Sequence, residues 1–153
     1  LHVYDDATKL DLDPSDICLG TPTIGWGHTG ADVKPGMVIT PEEAERLFQL
    51  DKTEAIKDAA AALRFIVDSP DRWYSMGEVR QAALVDMAFN LGLRRLAGFR
   101  KMLEAIVRGD WQAASDEVLY RVKPEPSKWK RQVGRRADRD ALMFLTGQWP
   151  DHA

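Results

Sequence analysis

Thr23-Ile24-Gly25-Trp26-Gly27-His28-Thr29 is the stretch that decides how this chain folds. Gly25 and Gly27 flank one large aromatic, and paired glycines let a backbone turn, or approach a ligand, where a Cβ would clash. Thr23, His28 and Thr29 add two hydroxyls and an imidazole within the same few residues, which suits the wall of a cleft. Taken alone, the segment reads as a β-hairpin with glycines at its bends. Pro22 restricts Thr21 to extended backbone and so sets up a strand at Thr23.

Outward from this stretch, Val3-Tyr4-Asp5-Asp6 lies upstream, and Phe89-Asn90-Leu91-Gly92 and Ala97-Gly98-Phe99 lie downstream. Arg135-Arg136-Ala137 and Phe144-Leu145-Thr146-Gly147-Gln148-Trp149 follow near the end. Tyr-x-Asp, then Thr-Ile-Gly-x-Gly-His-Thr, then an apolar helix ending in Phe-Asn-x-Gly, resembles the phage-type lysozymes, the endolysin family of T-even phage. The resemblance runs in order over nearly the whole chain. It implies an α+β, mainly α, lysozyme-like fold: a small β-containing lobe over 1–39, a connecting helix over 40–66 and a larger helical lobe over 67–153, with a cleft between the lobes. It also implies a bacteriolytic hydrolase that cuts the bond between N-acetylmuramic acid and N-acetylglucosamine in peptidoglycan. Such an enzyme works as a monomer, without metal or organic cofactor.

Cleaving a glycosidic bond requires a proton for the leaving oxygen, negative charge near the oxocarbenium ion, and an attacking water or carboxylate. The resemblance places Asp6 near the attacking water and gives Thr23 the hydroxyl that helps hold it. Both side chains are therefore expected to converge on a pocket at the seam between lobes. The acid does not carry over. The family's Glu would precede Leu1, and no Glu occurs between Leu1 and Thr40. Asp5, next to Asp6, would point to the opposite strand face. Losing a positioned acid forfeits roughly a hundred- to ten-thousand-fold in rate, so the chain as written is expected to hydrolyse peptidoglycan poorly or not at all. The rival reading is a peptidoglycan-binding or toxin-associated module of the same fold without turnover.

By the same resemblance, Phe89, Asn90 and Gly92 are groove-lining positions that contact the sugar, although Phe89 also fits a core role. His28 is mainly structural, given a carboxylate partner. Arg136 aligns with an arginine near the missing acid, or is an exposed helix charge. Trp26 could stack on a sugar, whereas Trp129 and Trp149 read as core residues.

The composition is ordinary for a globular protein of 153 residues, 44% hydrophobic and 29% charged. A single cysteine, Cys18, rules out an internal disulfide and argues against a cysteine metal site. No apolar run is long enough to span a membrane. No leader is visible, and the opening on Leu1 rather than Met suggests that upstream residues have been removed or left out. The net charge of −3 hides an acidic beginning and a basic end. The basic end, from Arg121 to Arg139, is read either as attraction to an anionic polymer or as solvated helix faces. Without a zinc-finger or RNA-binding motif, nucleic acid is not an expected partner.

Thr40-Pro41-Glu42-Glu43 is a helix-starting capping box, with an apolar stripe following at Ala44, Leu47, Phe48, Ala55 and Ala59. Ser75 with Glu78 repeats the box ahead of a helix that is apolar nearly all round, in which Asp86 must find a donor or reach solvent. Gly92 is expected to close that helix. Phe99 to Arg108 and Val133 to Leu145 read as further helices, the latter stopped by Gly147. Asp110 caps a helix through Trp111, and Pro124 and Pro126 mark a loop. The segment from Ala7 to Pro22 is longer than the hairpin of compact family members: either it shapes ligand access or it is decoration.

Overall fold

The computed structural model describes residues 1–151. In chain order the elements are β1 (Tyr4–Asp5), β2 (Pro22–Ile24), β3 (His28–Thr29), α1 (Pro41–Arg64), α2 (Asp71–Ser75), α3 (Glu78–Ala97), α4 (Arg100–Val107), α5 (Trp111–Leu119), β4 (Tyr120–Val122), β5 (Glu125–Pro126), α6 (Lys128–Val133) and α7 (Arg135–Thr146). They fall into two compact units, Leu1–Thr53 and the residues from Glu54 onward, with α1 contributing to both. The protein is α+β and mainly α.

In the first unit, β1, β2 and β3 form an antiparallel sheet in which Tyr4 pairs with Thr23, and Ile24 with His28. The hairpin from β2 to β3 turns through Gly25 and Gly27, at φ of 62° and 102°. A Cβ on Gly25 would stand 3.1 Å from the Ala44 Cβ on α1, so the glycine serves both the bend and close packing. Val3, Leu12, Ile24 and Val33 are the buried core, with Cys18, Met37, Ile39 and Leu47 packed on it. The capping box at Thr40 forms in full: the Thr40 N–H donates to Glu43 Oε2 at 2.9 Å, and the Glu43 N–H donates to Thr40 Oγ1 at 3.2 Å.

The second unit is helical. Leu84, Met87, Leu96, Met102, Leu103, Ile106, Trp129 and Phe144 are all within 1% of full burial. Arg80 stacks its guanidinium 4.1 Å from the Trp111 ring and donates from Nε to the Phe144 carbonyl at 2.8 Å. One cation thus joins α3, α5 and the C-terminal end of α7, where it also meets the helix dipole favourably.

Several local expectations are corrected. Ser75 does not cap α3: it ends α2, its hydroxyl donates to the Arg72 carbonyl, and the chain enters α3 through Gly77 at φ 84°. Gly92, at φ 69° and ψ 169°, does end the first helical run of α3, as expected, but a second short run follows directly and reaches Ala97. Val133 ends α6, because Gly134 at φ 59° and ψ −124° breaks the chain before α7 starts at Arg135. The loop around Pro124 is a short antiparallel hairpin, β4–β5. Trp129 is fully buried as expected, but Trp149 is 58% exposed because it lies beyond the left-handed cap at Gly147. Asp110 does cap α5, accepting from the Ala113 N–H at 3.0 Å.

Candidate functional site

Two adjacent aspartates with opposite fates lie at the end of β1 (Asp5) and in the turn that follows (Asp6). Asp5 is 1% exposed, and its carboxylate accepts from the N–H groups of Leu19 (2.7 Å), Ala7 (2.9 Å) and Gly20 (3.0 Å). Burial works against its charge, but these donors, with Thr8, outweigh it and hold the carboxyl below its ordinary range. The long segment that follows Asp6 is therefore stapled at both ends to one buried side chain. Asp6 is exposed; its Oδ1 accepts from the Thr21 N–H at 2.6 Å, while its own N–H donates to the Thr21 carbonyl. On β2, Thr23 is 4% exposed and donates its hydroxyl proton to the same carbonyl at 3.0 Å.

Thr21 thus ties Asp6 and Thr23 to one peptide unit. The Asp6 residue is exposed, and the Thr23 oxygen, its proton already committed, remains able to accept. Gly20 makes this arrangement possible. A Cβ there would collide with Asp6 Oδ1 and stand 2.8 Å from both Asp5 Oδ1 and the Ala7 Cβ. Gly20→Ala is expected to destabilise the first unit by about 1–3 kcal/mol, the usual cost of forced overpacking, and to displace the Asp6 carboxylate. Urea denaturation checks the first effect, and carboxyl NMR of Asp6 the second.

His28, on β3, lies between two carboxylates: Nδ1 meets Asp51 Oδ2 at 2.8 Å and Nε2 meets Asp32 Oδ2 at 3.0 Å. Burial opposes the imidazolium, but its hydrogen bonds to Asp32 and then to Asp51 exceed that penalty and raise the His28 pKa. A histidine whose folded pKa is raised contributes stability that is complete below its unfolded value and lost as pH rises through the folded one. Asp51→Asn is therefore expected to destabilise most at about pH 5 and progressively less in neutral and alkaline solution. Chemical denaturation of both proteins across that range reads the difference; a constant gap would contradict the ion pair.

In the second unit, Phe89 is half-buried against the helical core and Asn90 is exposed, its side-chain amide donating to the Asp86 carbonyl at 2.8 Å. Gly92 holds its positive φ with open space where a Cβ would stand, so backbone conformation rather than crowding demands glycine. Phe89, Asn90 and Gly92 cluster at the break in α3. Trp26 is 49% exposed and meets Phe48 edge-on, with ring centroids 6.5 Å apart.

Arg136 is not simply an exposed helix charge. It is partly buried and makes a two-pronged ion pair with Asp86, from Nε at 2.8 Å and from the terminal nitrogen Nη2. This supplies the donor that Asp86 requires. The partnership was not legible beforehand, because the two residues lie on different helices far apart in sequence. The same holds for Asp51 beside His28 and for the loop anchor Asp5. Among the described residues, no cluster of His, Cys, Asp and Glu is arranged to hold a metal ion.

The sequence model of the phage lysozyme family matches residues 7–139. That span includes Thr23, His28, Phe89, Asn90, Gly92 and Arg136, and begins directly after Asp6. The chain is 31% identical over 150 residues to the pre-baseplate central spike protein Gp5 of Enterobacteria phage T4, covering 84% of this chain and 24% of that protein. It is 32% identical to the endolysin of Bacillus phage B103, over 82% of this chain and 44% of that one. It is also 34% identical to the endolysin of Salmonella phage P22, over 83% and 82% respectively. An α+β, mainly α fold of this make-up, together with these matches, defines the lysozyme class of protein. The chain belongs to the phage lysozyme family. It spans less than half the length of the first two relatives.

Proposed function

We propose that this chain is the muramidase portion of a phage-type lytic protein, hydrolysing the bond between N-acetylmuramic acid and N-acetylglucosamine. The observation that carries the reading is the shared attachment of Asp6 and Thr23 to Thr21. A water donating one proton to Asp6 Oδ2 and the other to Thr23 Oγ1 would keep a lone pair for the anomeric carbon. The carboxylate would favour the oxocarbenium-like charge and take the water's proton as the bond forms. Phe89, Asn90 and Gly92 are assigned to the sugar: an aromatic edge for a sugar face, and an amide for the N-acetyl group. His28 and Arg136 are assigned to support rather than chemistry, and the substrate partner is bacterial peptidoglycan bound by a monomer.

The proton donor is assigned to a Glu outside residues 1–40, which contain none. The second reading is a wall-binding module of the same fold that does not turn over. A turbidity assay on purified sacculi separates the two. The chain as written is expected to sediment with sacculi without clearing them, whereas a version extended upstream through its Glu is expected to clear them. Equal rates would remove the upstream acid from the mechanism, and failure of either protein to sediment would remove the wall as partner.

A further inference from the structure

The structure sorts the basic end of the chain, which the proposed chemistry leaves unused, into matched and unmatched cations. The stretch from Lys128 to Arg139 carries six: Lys128, Lys130, Arg131, Arg135, Arg136 and Arg139. Two are matched, Lys130 with Asp138 and Arg136 with Asp86. Lys128, Arg131, Arg135 and Arg139 are exposed, and among the described residues none of them has an acid within ion-pair distance. Arg135 and Arg139 stand one turn apart on α7, about 6 Å along its axis at 1.5 Å per residue. They lie on the side away from the buried Ala137, Ala141 and Phe144. Lys128 and Arg131 are three residues apart on α6, on the side away from the buried Trp129. α6 packs against α7, with Gly134 alone between them in sequence. Like charges at this spacing repel, so the fold gains nothing from collecting them. Yet four uncompensated cations stand together on a chain whose net charge is −3.

We propose that Lys128, Arg131, Arg135 and Arg139 form a docking face for a phosphodiester polymer of the bacterial wall, a chain of the teichoic-acid type. Charge complementarity selects a polyanion, and the guanidinium fork matches the paired oxygens of a phosphate. The surroundings of the four cations disfavour other polyanions. Proteins that hold single-stranded nucleic acid add aromatic platforms for the bases. The one aromatic in this stretch, Trp129, is fully buried. A helix that lies in a lipid surface turns an apolar stripe toward the acyl chains. That stripe of α7 is inside the core, and its outward side adds only Leu142 and Leu145 to the cations. The choice of the wall as the source of phosphate rests on the reading of the chain as a wall-acting lysozyme. Docking through this face keeps a protein of net negative charge on an anionic wall that would otherwise repel it.

The test titrates the full chain with soluble teichoic acid freed of peptidoglycan, over a range of salt, so that it reads docking and not cleavage. Arg135→Gln/Arg139→Gln is expected to weaken binding on the order of tenfold at about 0.1 M salt. It should also flatten the dependence of log affinity on log salt by about 1.4, or about 0.7 for each cation lost. Arg135→Lys/Arg139→Lys keeps both charges and is expected to keep the slope. Arg46→Gln/Lys52→Gln removes the same charge from exposed positions on α1 and is expected to bind like the unaltered chain. All of these side chains are exposed, and thermal unfolding checks that each variant is folded. No binding by the unaltered chain, an equal loss in the α1 variant, or tighter binding to anionic phospholipid vesicles or single-stranded DNA would overturn the proposal. If the upstream-extended chain clears sacculi yet ignores the polymer, the docking face falls and the muramidase reading stands. If it binds the polymer and clears nothing, the muramidase reading falls and the docking face stands.

Discussion

Trp129→Ala is expected to lower the stability of the protein by about 3–5 kcal/mol, the range for truncating a large buried aromatic. Trp129 is fully buried, and the cavity would open among helices that share one core. The indole N–H is also the donor to Asp140, so truncation leaves a buried carboxyl short of a partner, a further cost of about 1–3 kcal/mol. A protein of this size loses about 2–4 °C of midpoint per kcal/mol, so thermal unfolding should shift down by about 10 °C or more. Trp129→Phe retains much of the volume and removes the donor, and should show mainly the smaller effect. A loss below about 1 kcal/mol for Trp129→Ala would mean that the helical unit does not rest on this contact.

The second large effect concerns Asp6. In the chain extended through its upstream Glu, Asp6→Asn is expected to reduce the rate of wall hydrolysis by roughly a hundred- to ten-thousand-fold. The amide oxygen can still accept from the Thr21 N–H, so the turn persists and only the negative charge is lost. Stability should change little, because the carboxylate is exposed. Asp5→Asn should behave in the opposite way. Asp5 holds the Leu19 and Gly20 amides from a buried position, so its loss loosens the segment from Ala7 to Thr21 before it affects any reaction. A depressed carboxyl contributes stability above its unfolded pKa and loses it as pH falls through the folded value, so this staple should weaken first in acid. If Asp5→Asn abolishes hydrolysis in a stable protein while Asp6→Asn spares it, the two aspartates have been assigned the wrong way round.

Alternation along a strand puts Asp5 and Asp6 on opposite faces, but β1 ends at the buried Asp5, and Asp6 is exposed in the turn that follows. Alternation could not say that Asp5 would bind amides of a loop many residues downstream, since that depends on where the loop returns. The capping box at Thr40 was legible because every partner lies within one helical turn. Its apparent twin at Ser75 failed because a positive-φ glycine, Gly77, intervenes and lets α2 end separately. Gly92 and Gly134 were visible as letters, but whether a glycine ends a helix or bends it is decided by packing on either side. The ion pairs of His28 with Asp51 and of Arg136 with Asp86 join residues that only tertiary structure brings together.

The central claim, cleavage on the muramic acid side, is tested most directly by identifying the new reducing end. Sacculi digested with the upstream-extended chain would be reduced with borohydride, hydrolysed and analysed by mass spectrometry. Muramicitol is the expected product, formed by the extended chain and absent with its Asp6→Asn variant. Glucosaminitol, an anhydro-muramic acid product, or muramicitol formed equally well by the variant would contradict it.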